Sequence, residues 1–170
     1  MLPITERTEL KPDTWYALAK YVCEWTLTCA GEVRCPVTVL RLPGVYGRSQ
    51  KDGSVIGRVV FSIQRAGSVT INGRGSALRD YVYIDDLCRL VMELVPLRYR
   101  GVLNVATGES RSILEIVKLI GSVLGKDFEI VCGEAVRERD FDLRFDNRLL
   151  LKAIPKFHFS GLEAGIRSYL

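Results

Sequence analysis

One histidine, His158, stands among 170 residues, and the five cysteines (Cys23, Cys29, Cys35, Cys88, Cys132) show no C-x-x-C spacing. A tetrahedral zinc site needs several such ligands at short spacing, so the sequence offers no metal centre. An odd cysteine count without a framework of spacings reads as small core residues in a reducing cytosol. No apolar run reaches the ~18 residues of a membrane span. The opening MLPITERTEL lacks the apolar stretch of a signal peptide. The expectation is a cytoplasmic protein with no membrane partner. No basic run exists either: 24 basic and 20 acidic side chains are scattered, for a net charge of +4. That pattern argues against a nucleic-acid partner, and an RNA-binding protein would show affinity falling steeply with salt. Repeats and low-complexity segments are absent as well.

What is present is a globular composition, 48% hydrophobic and 26% charged, in a length that fits one domain or part of a larger one. Arginine outnumbers lysine 17 to 7, which suits bidentate contacts to phosphate or carboxylate. Asp13 is placed to cap a helix running to about Ala30 and stopped by Gly31. On that helix Trp15, Leu18, Ala19, Val22 and Trp25 share an apolar face for the core or a subunit contact; Tyr16, Lys20 and Glu24 lie on the other side. CPVTVLRLP lacks strict alternation and reads as a strand buried on both faces, as in a parallel sheet. GVYGRSQKDGS reads as a loop, Val55–Ala66 as a helix, SVTI as a strand and NGRG as a turn. RDYVYI alternates like a strand, and Asp85 or Asp86 then caps a helix ending near Pro96. GVLNVATG is a strand and turn. In SILEIVKLIGSVLG, Ser112 and Glu115 have capping-box spacing and Gly125 ends the helix. FEIV is a strand; helices follow near Arg148–Ala153 and in the closing SGLEAGIRSYL. Strands alternating with helices define an α/β protein.

The stretch DTWYALAK carries the chemistry. Tyr16 and Lys20 are four apart, hence neighbours on one helical stripe. An ammonium beside a phenol favours the phenolate, which makes a general acid/base. An exposed pair of unrelated residues is the plain alternative.

In their order along the chain, several segments resemble the extended short-chain dehydrogenase/reductases, the NAD-dependent epimerase/dehydratase family that acts on nucleotide sugars. PITERTELKPDTWYALAK is similar to the family's P-x-T-E … P-x-x-x-Y-x-x-x-K. VLRLPGVYGR resembles R-x-x-N-x-Y-G-P, and INGRGSALRDYVYIDDLCRLV resembles G-x-G-x-x-x-R-D-(F/Y)-V-x-V-x-D. GVLNVATGES resembles the N-x-G-(T/S)-G strand and turn, RERD resembles R-x-G-D, and GLEAGIRSYL the closing helix. The resemblance covers the family's C-terminal half. No G-x-x-G-x-x-G follows a strand here, so the turn that seats a dinucleotide pyrophosphate on a helix N-terminus is not in this sequence.

The resemblance implies the C-terminal part of a Rossmann-like NAD(P)-binding fold joined to a small α/β substrate lobe. Residues 1–50 are the remnant of the cofactor domain with its catalytic helix. Residues 51–170 are mainly the nucleotide-sugar lobe, with a strand near 102–107 returning to the Rossmann sheet. By the same resemblance Tyr16 is the acid/base on a sugar hydroxyl. Lys20 binds the nicotinamide ribose, and Pro43 contacts the cofactor, NAD or NADP. On the substrate side the resemblance assigns Gly44, where many members carry asparagine, and Val69 to Ile71 along the base. Arg79 and Arg137 take the diphosphate. The implied reaction is hydride transfer at a sugar carbon, C4 by preference, through a keto intermediate, with epimerase slightly ahead of dehydratase. The intact enzyme is implied to be a homodimer, its N-terminal Rossmann half lying in the same or a separate polypeptide. The rival reading is a non-catalytic substrate-binding piece. For Arg79 the alternative is an ion pair with Asp80; Asp85 and Asp86 read as helix caps, and His158 as structural.

Overall fold

Helix caps and apolar periodicity set the elements of one core. The computed structural model describes residues 2–29, 35–48, 54–134 and 141–170. Helix α1 spans Trp15–Cys29 and α2 Val55–Ala66. Ser54 caps α2, its hydroxyl accepting from the Gly57 amide at 2.9 Å, and Gly67 ends it at φ 63°, a left-handed conformation that suits glycine. The buried stripe Ile56, Val59, Val60 and Ile63 follows the helical period. Helix α4, Ile113–Leu124, has a complete capping box between Ser112 and Glu115 and buries Ile116, Val117 and Ile120. These two stripes cover strand β3, Ser68–Asn72, whose Val69 and Ile71 point inward while Thr70 and Asn72 face out. Strand β8, Glu129–Gly133, pairs with β3 in parallel. Each fully buried isoleucine here contributes roughly 1.5–3 kcal/mol.

The second core lies under a different parallel pair. Strand β1, Thr38–Arg41, runs beside β6, Gly101–Asn104, with Arg41 in register with Asn104. Helix α3, Ile84–Leu97, supplies Leu90 and Leu94. Helix α5, Arg148–Ala153, supplies Leu150, and Phe157 closes the cluster. A third parallel pair joins β2, Gly44–Tyr46, to β5, Tyr81–Tyr83. The short strands β4, Leu78–Arg79, and β7, Arg111–Ser112, are antiparallel. Helix α6, Leu162–Tyr169, packs Ile166 into the first core.

Four sequence expectations are corrected. Gly44–Tyr46 is strand β2 rather than loop, because its pairing with β5 comes from far along the chain. Thr14 caps α1, accepting from the Ala17 amide at 3.1 Å, so the cap falls one residue after Asp13; Ala30 and Gly31 lie outside the described residues. Neither Asp85 nor Asp86 caps α3: Tyr83 is the N-cap and makes no side-chain cap bond. All five cysteines are free and exposed rather than core residues. Strand β1 is parallel as expected, yet all four of its residues are only half-buried, since among the described residues only β6 pairs with it.

Candidate active site

Two groups of candidate residues emerge. The first is on α1, a helix without a buried residue. The Lys20 ammonium stands 5.5 Å from the centre of the Tyr16 ring, and Tyr16 is 74% exposed. A cation at that distance over a phenol face is attracted by the ring quadrupole. The expected apolar face of α1 is exposed as well, with Trp15 88% and Trp25 61% exposed beside Leu18 and Val22, so this face is not core within the chain.

The second group surrounds a cavity of about 240 Å³ between the β5 end and the loop before α6, lined among others by Arg79, Tyr81, Thr107, His158 and Ser160. Arg79 donates from one Nη to the Leu78 and Phe141 carbonyls at 2.8 and 2.5 Å, and its guanidinium stacks 5.6 Å from the Phe141 ring centre. Gly44 begins β2 against the Tyr81 ring. A β-carbon there would come within 2.6 Å of two ring carbons, so the tyrosine occupies the space an asparagine side chain would take. Pro43 lies half-buried between β1 and β2. Val69 and Ile71 are each 4% exposed and their side chains are committed to the core. Arg137 lies outside the described residues. Tyr16 and Lys20 are not among the residues that line the cavity with Arg79.

Two buried carboxylates that shape the cavity were not picked out as such from the sequence. Asp80, 2% exposed, accepts from the Thr107 amide at 3.2 Å, the Thr107 hydroxyl at 2.9 Å and the Gly108 amide at 3.0 Å. It fixes the turn after β6; burial pushes its carboxyl up, and the Thr107 and Gly108 bonds oppose that shift. Asp86, also 2% exposed, accepts from the Ser160 amide at 2.7 Å and the Ser160 hydroxyl at 2.9 Å, and pairs with Arg89. It ties the loop carrying His158 to α3. The adjacent carboxylates in YIDDLCRLV were the available signal, but local reading assigns them to helix capping. His158 uses its carbonyl to accept from Arg89.

Parallel strand pairs interleaved with helices define a Rossmann-like α/β protein. Residues 1–106 match the model of the NAD dependent epimerase/dehydratase family, and the chain belongs to that family. The dTDP-4-dehydro-6-deoxyglucose reductase of Escherichia coli is 31% identical over 131 residues, which are 73% of this chain and 41% of that protein. Among solved structures, the UDP-N-acetylglucosamine 4-epimerase of Methanobrevibacter ruminantium M1, in complex with UDP-N-acetylmuramic acid, superposes with a TM-score of 0.91 at 26% identity. That match covers 99% of this chain and 56% of the epimerase. MoeE5, in complex with UDP-glucose and NAD, superposes with a TM-score of 0.80 at 28% identity, covering 98% of this chain and 57% of MoeE5. The chain thus spans about half the length of the relatives it matches.

Proposed function

We propose that this chain is the C-terminal portion of an NAD(P)-dependent epimerase or dehydratase acting on a nucleoside-diphosphate sugar. The observation that carries the reading is the Tyr16–Lys20 approach on an uncovered face of α1. Tyr16 takes the proton from a sugar hydroxyl, C4 by preference. Lys20 donates to the ribose hydroxyls beside it and keeps a positive charge at the phenol, which favours the phenolate. Bound NAD supplies the acceptor for the hydride leaving the same carbon. The residues present fit the nicotinamide end of that dinucleotide: two exposed polar groups on one stripe, with Pro43 at the C-terminal end of a parallel strand, where ligands of open α/β sheets bind. The pyrophosphate end calls for the glycine turn of an N-terminal half, in the same or a separate polypeptide. On the substrate side Arg79 and Arg137 take the diphosphate, whose oxygens match a guanidinium fork. Gly44 and the Val69–Ile71 backbone lie along the sugar nucleotide. The exposed Trp15 and Trp25 supply the surface for a homodimer contact.

One feature favours a second reading, a substrate-binding lobe that does not hold NAD: Arg79 lines the cavity of about 240 Å³, and Tyr16 and Lys20 are not among its lining residues. Calorimetric titration of the chain with UDP and with NAD, beside Tyr16→Phe and Arg79→Ala, separates the two. UDP is expected to bind, and Arg79→Ala to weaken it tenfold or more, since a charged hydrogen bond contributes about 1.5–3 kcal/mol. Tyr16→Phe should leave UDP affinity unchanged. NAD binding would favour the enzyme reading, UDP alone the lobe reading, and absence of UDP binding would remove both.

A further inference from the structure

Helix α1 is tied to the sheet by polar contacts. Its least exposed residues are Ala17 and Glu24, and both are only half-buried. Glu24 meets Arg41, the last residue of β1, through two parallel bonds: Nε to Oε2 at 3.0 Å and Nη2 to Oε1 at 2.5 Å. Both side chains are shielded, at 17% and 19% exposure. The remaining Nη of Arg41 donates to the Glu6 carbonyl at 3.0 Å, while the Glu6 carboxylate accepts from the Asn104 amide at 2.9 Å. Asn104, in register with Arg41, donates its side-chain amide to the Ile4 and Asp146 carbonyls at 3.0 and 3.2 Å. All three guanidinium nitrogens are therefore engaged, in a geometry a lysine cannot copy.

Glu24 is on the stripe of Tyr16 and Lys20. Each step of four residues advances the stripe by roughly 40° and 6 Å, so Lys20 has two possible partners one turn away, the Tyr16 ring on one side and the Glu24 carboxylate on the other. An i, i+4 lysine–carboxylate pair is an ordinary helix contact. Here it does not form: Lys20 faces Tyr16, and Glu24 is held by Arg41.

We propose that Arg41 and Glu24 are positioning residues for the Tyr16–Lys20 pair. Arg41 engages the Glu24 carboxylate, which fixes the rotation of α1 and leaves the Lys20 ammonium to the phenol. The functional weight of this rests on the reading of Tyr16 and Lys20 as the reacting pair, while the geometry stands without it.

The test is nuclear Overhauser contact between the Lys20 ε-methylene and the Tyr16 ring in the 170-residue chain, which needs no nucleotide. The wild type should show the contact. Arg41→Ala frees Glu24, and the contact should weaken about twofold as Lys20 divides between its partners, the scale of shift an i, i+4 ion pair produces. The double variant Arg41→Ala/Glu24→Gln removes the competitor and should restore it, although the tie to the sheet is still broken. A purely structural tether predicts the opposite, no recovery in the double variant, and that result overturns the proposal. Glu24→Gln alone should keep the contact; its loss there overturns the proposal too, and this variant serves if Arg41→Ala fails to fold. Retention of the contact at full strength in folded Arg41→Ala is equally fatal. Each readout is independent of the UDP and NAD titrations, so either idea can fail alone.

Discussion

The Tyr46 hydroxyl fills the space beside the Gly165 α-carbon: a β-carbon on Gly165 would lie 2.0 Å from it and 3.0 Å from the ring carbon that bears it. Tyr46 is 1% exposed, and burial pushes its phenol up, so it stays a neutral donor, 3.5 Å from the Leu162 carbonyl. The ring packs at a 45° tilt, 5.5 Å from the Tyr83 ring, and cannot retreat without disturbing it. Gly165→Ala should therefore destabilise the chain despite the gain in helix propensity, by about 1–3 kcal/mol from overpacking. A lowered urea midpoint at unchanged slope would show it; an unchanged midpoint would mean α6 shifts freely.

Removing Asp86 should cost more than removing its partner Ser160. Asp86→Ala leaves the half-buried Ser160 amide without its acceptor and removes the ion pair of Arg89, which keeps its bond to the His158 carbonyl, at about 1–3 kcal/mol. Ser160→Ala removes one donor while the backbone bond remains, and should cost less. Amide exchange at Ser160 distinguishes them: fast in Asp86→Ala, protected in Ser160→Ala.

The sequence was legible where physics is local. Helix α4 lies within the segment that its caps mark out, because Ser112 and Gly125 act on their own neighbours, and α2 coincides with the expected Val55–Ala66. The Y-x-x-x-K and R-D-Y-V segments were readable for the same reason, as short fixed spacings. Strand β2 was not, since GVY is stabilised by β5 more than thirty residues away. Asp86 was misread because its partner, Ser160, is 74 positions distant. The cysteines were misread because burial was inferred from residue type and not from phase. On α3 the core positions are Asp86, Leu90 and Leu94, which turns Cys88 outward; on α1 nothing is buried at all.

Thr14 and Asp13 make a sharp contrast at the start of α1. Only Thr14 accepts from Ala17, so Thr14→Ala should cost about 0.5–2 kcal/mol of local helix stability and Asp13→Ala much less. Because α1 buries no residue, the loss should appear as fraying rather than global unfolding. Faster amide exchange confined to the first turn of α1 in Thr14→Ala is the expected signature. Equal effects from the two substitutions would mean that Asp13 shares the cap in solution.

Asp146 should give the chain part of its acid sensitivity. The Arg148 side chain bonds it at 2.5 to 3.0 Å and the Arg148 amide at 2.9 Å, which together hold its carboxyl below the usual range. In the unfolded chain the group returns to about 3.9. Between those two values the unfolded state binds more protons, so stability rises with pH. The contribution is fully present above about pH 3.9 and fades as pH falls through the depressed folded value. Arg148 is 85% exposed, so solvent screening keeps the effect small. Asp146→Asn preserves the backbone bonds to Ile4 and Asn104, removes the charge and leaves one acceptor oxygen for Arg148 in place of two. Urea midpoints of wild type and Asp146→Asn should differ at pH 6 and converge as pH falls toward 2.5. A difference that stays constant over that range would show that the ion pair contributes nothing and that the substitution acts through geometry alone.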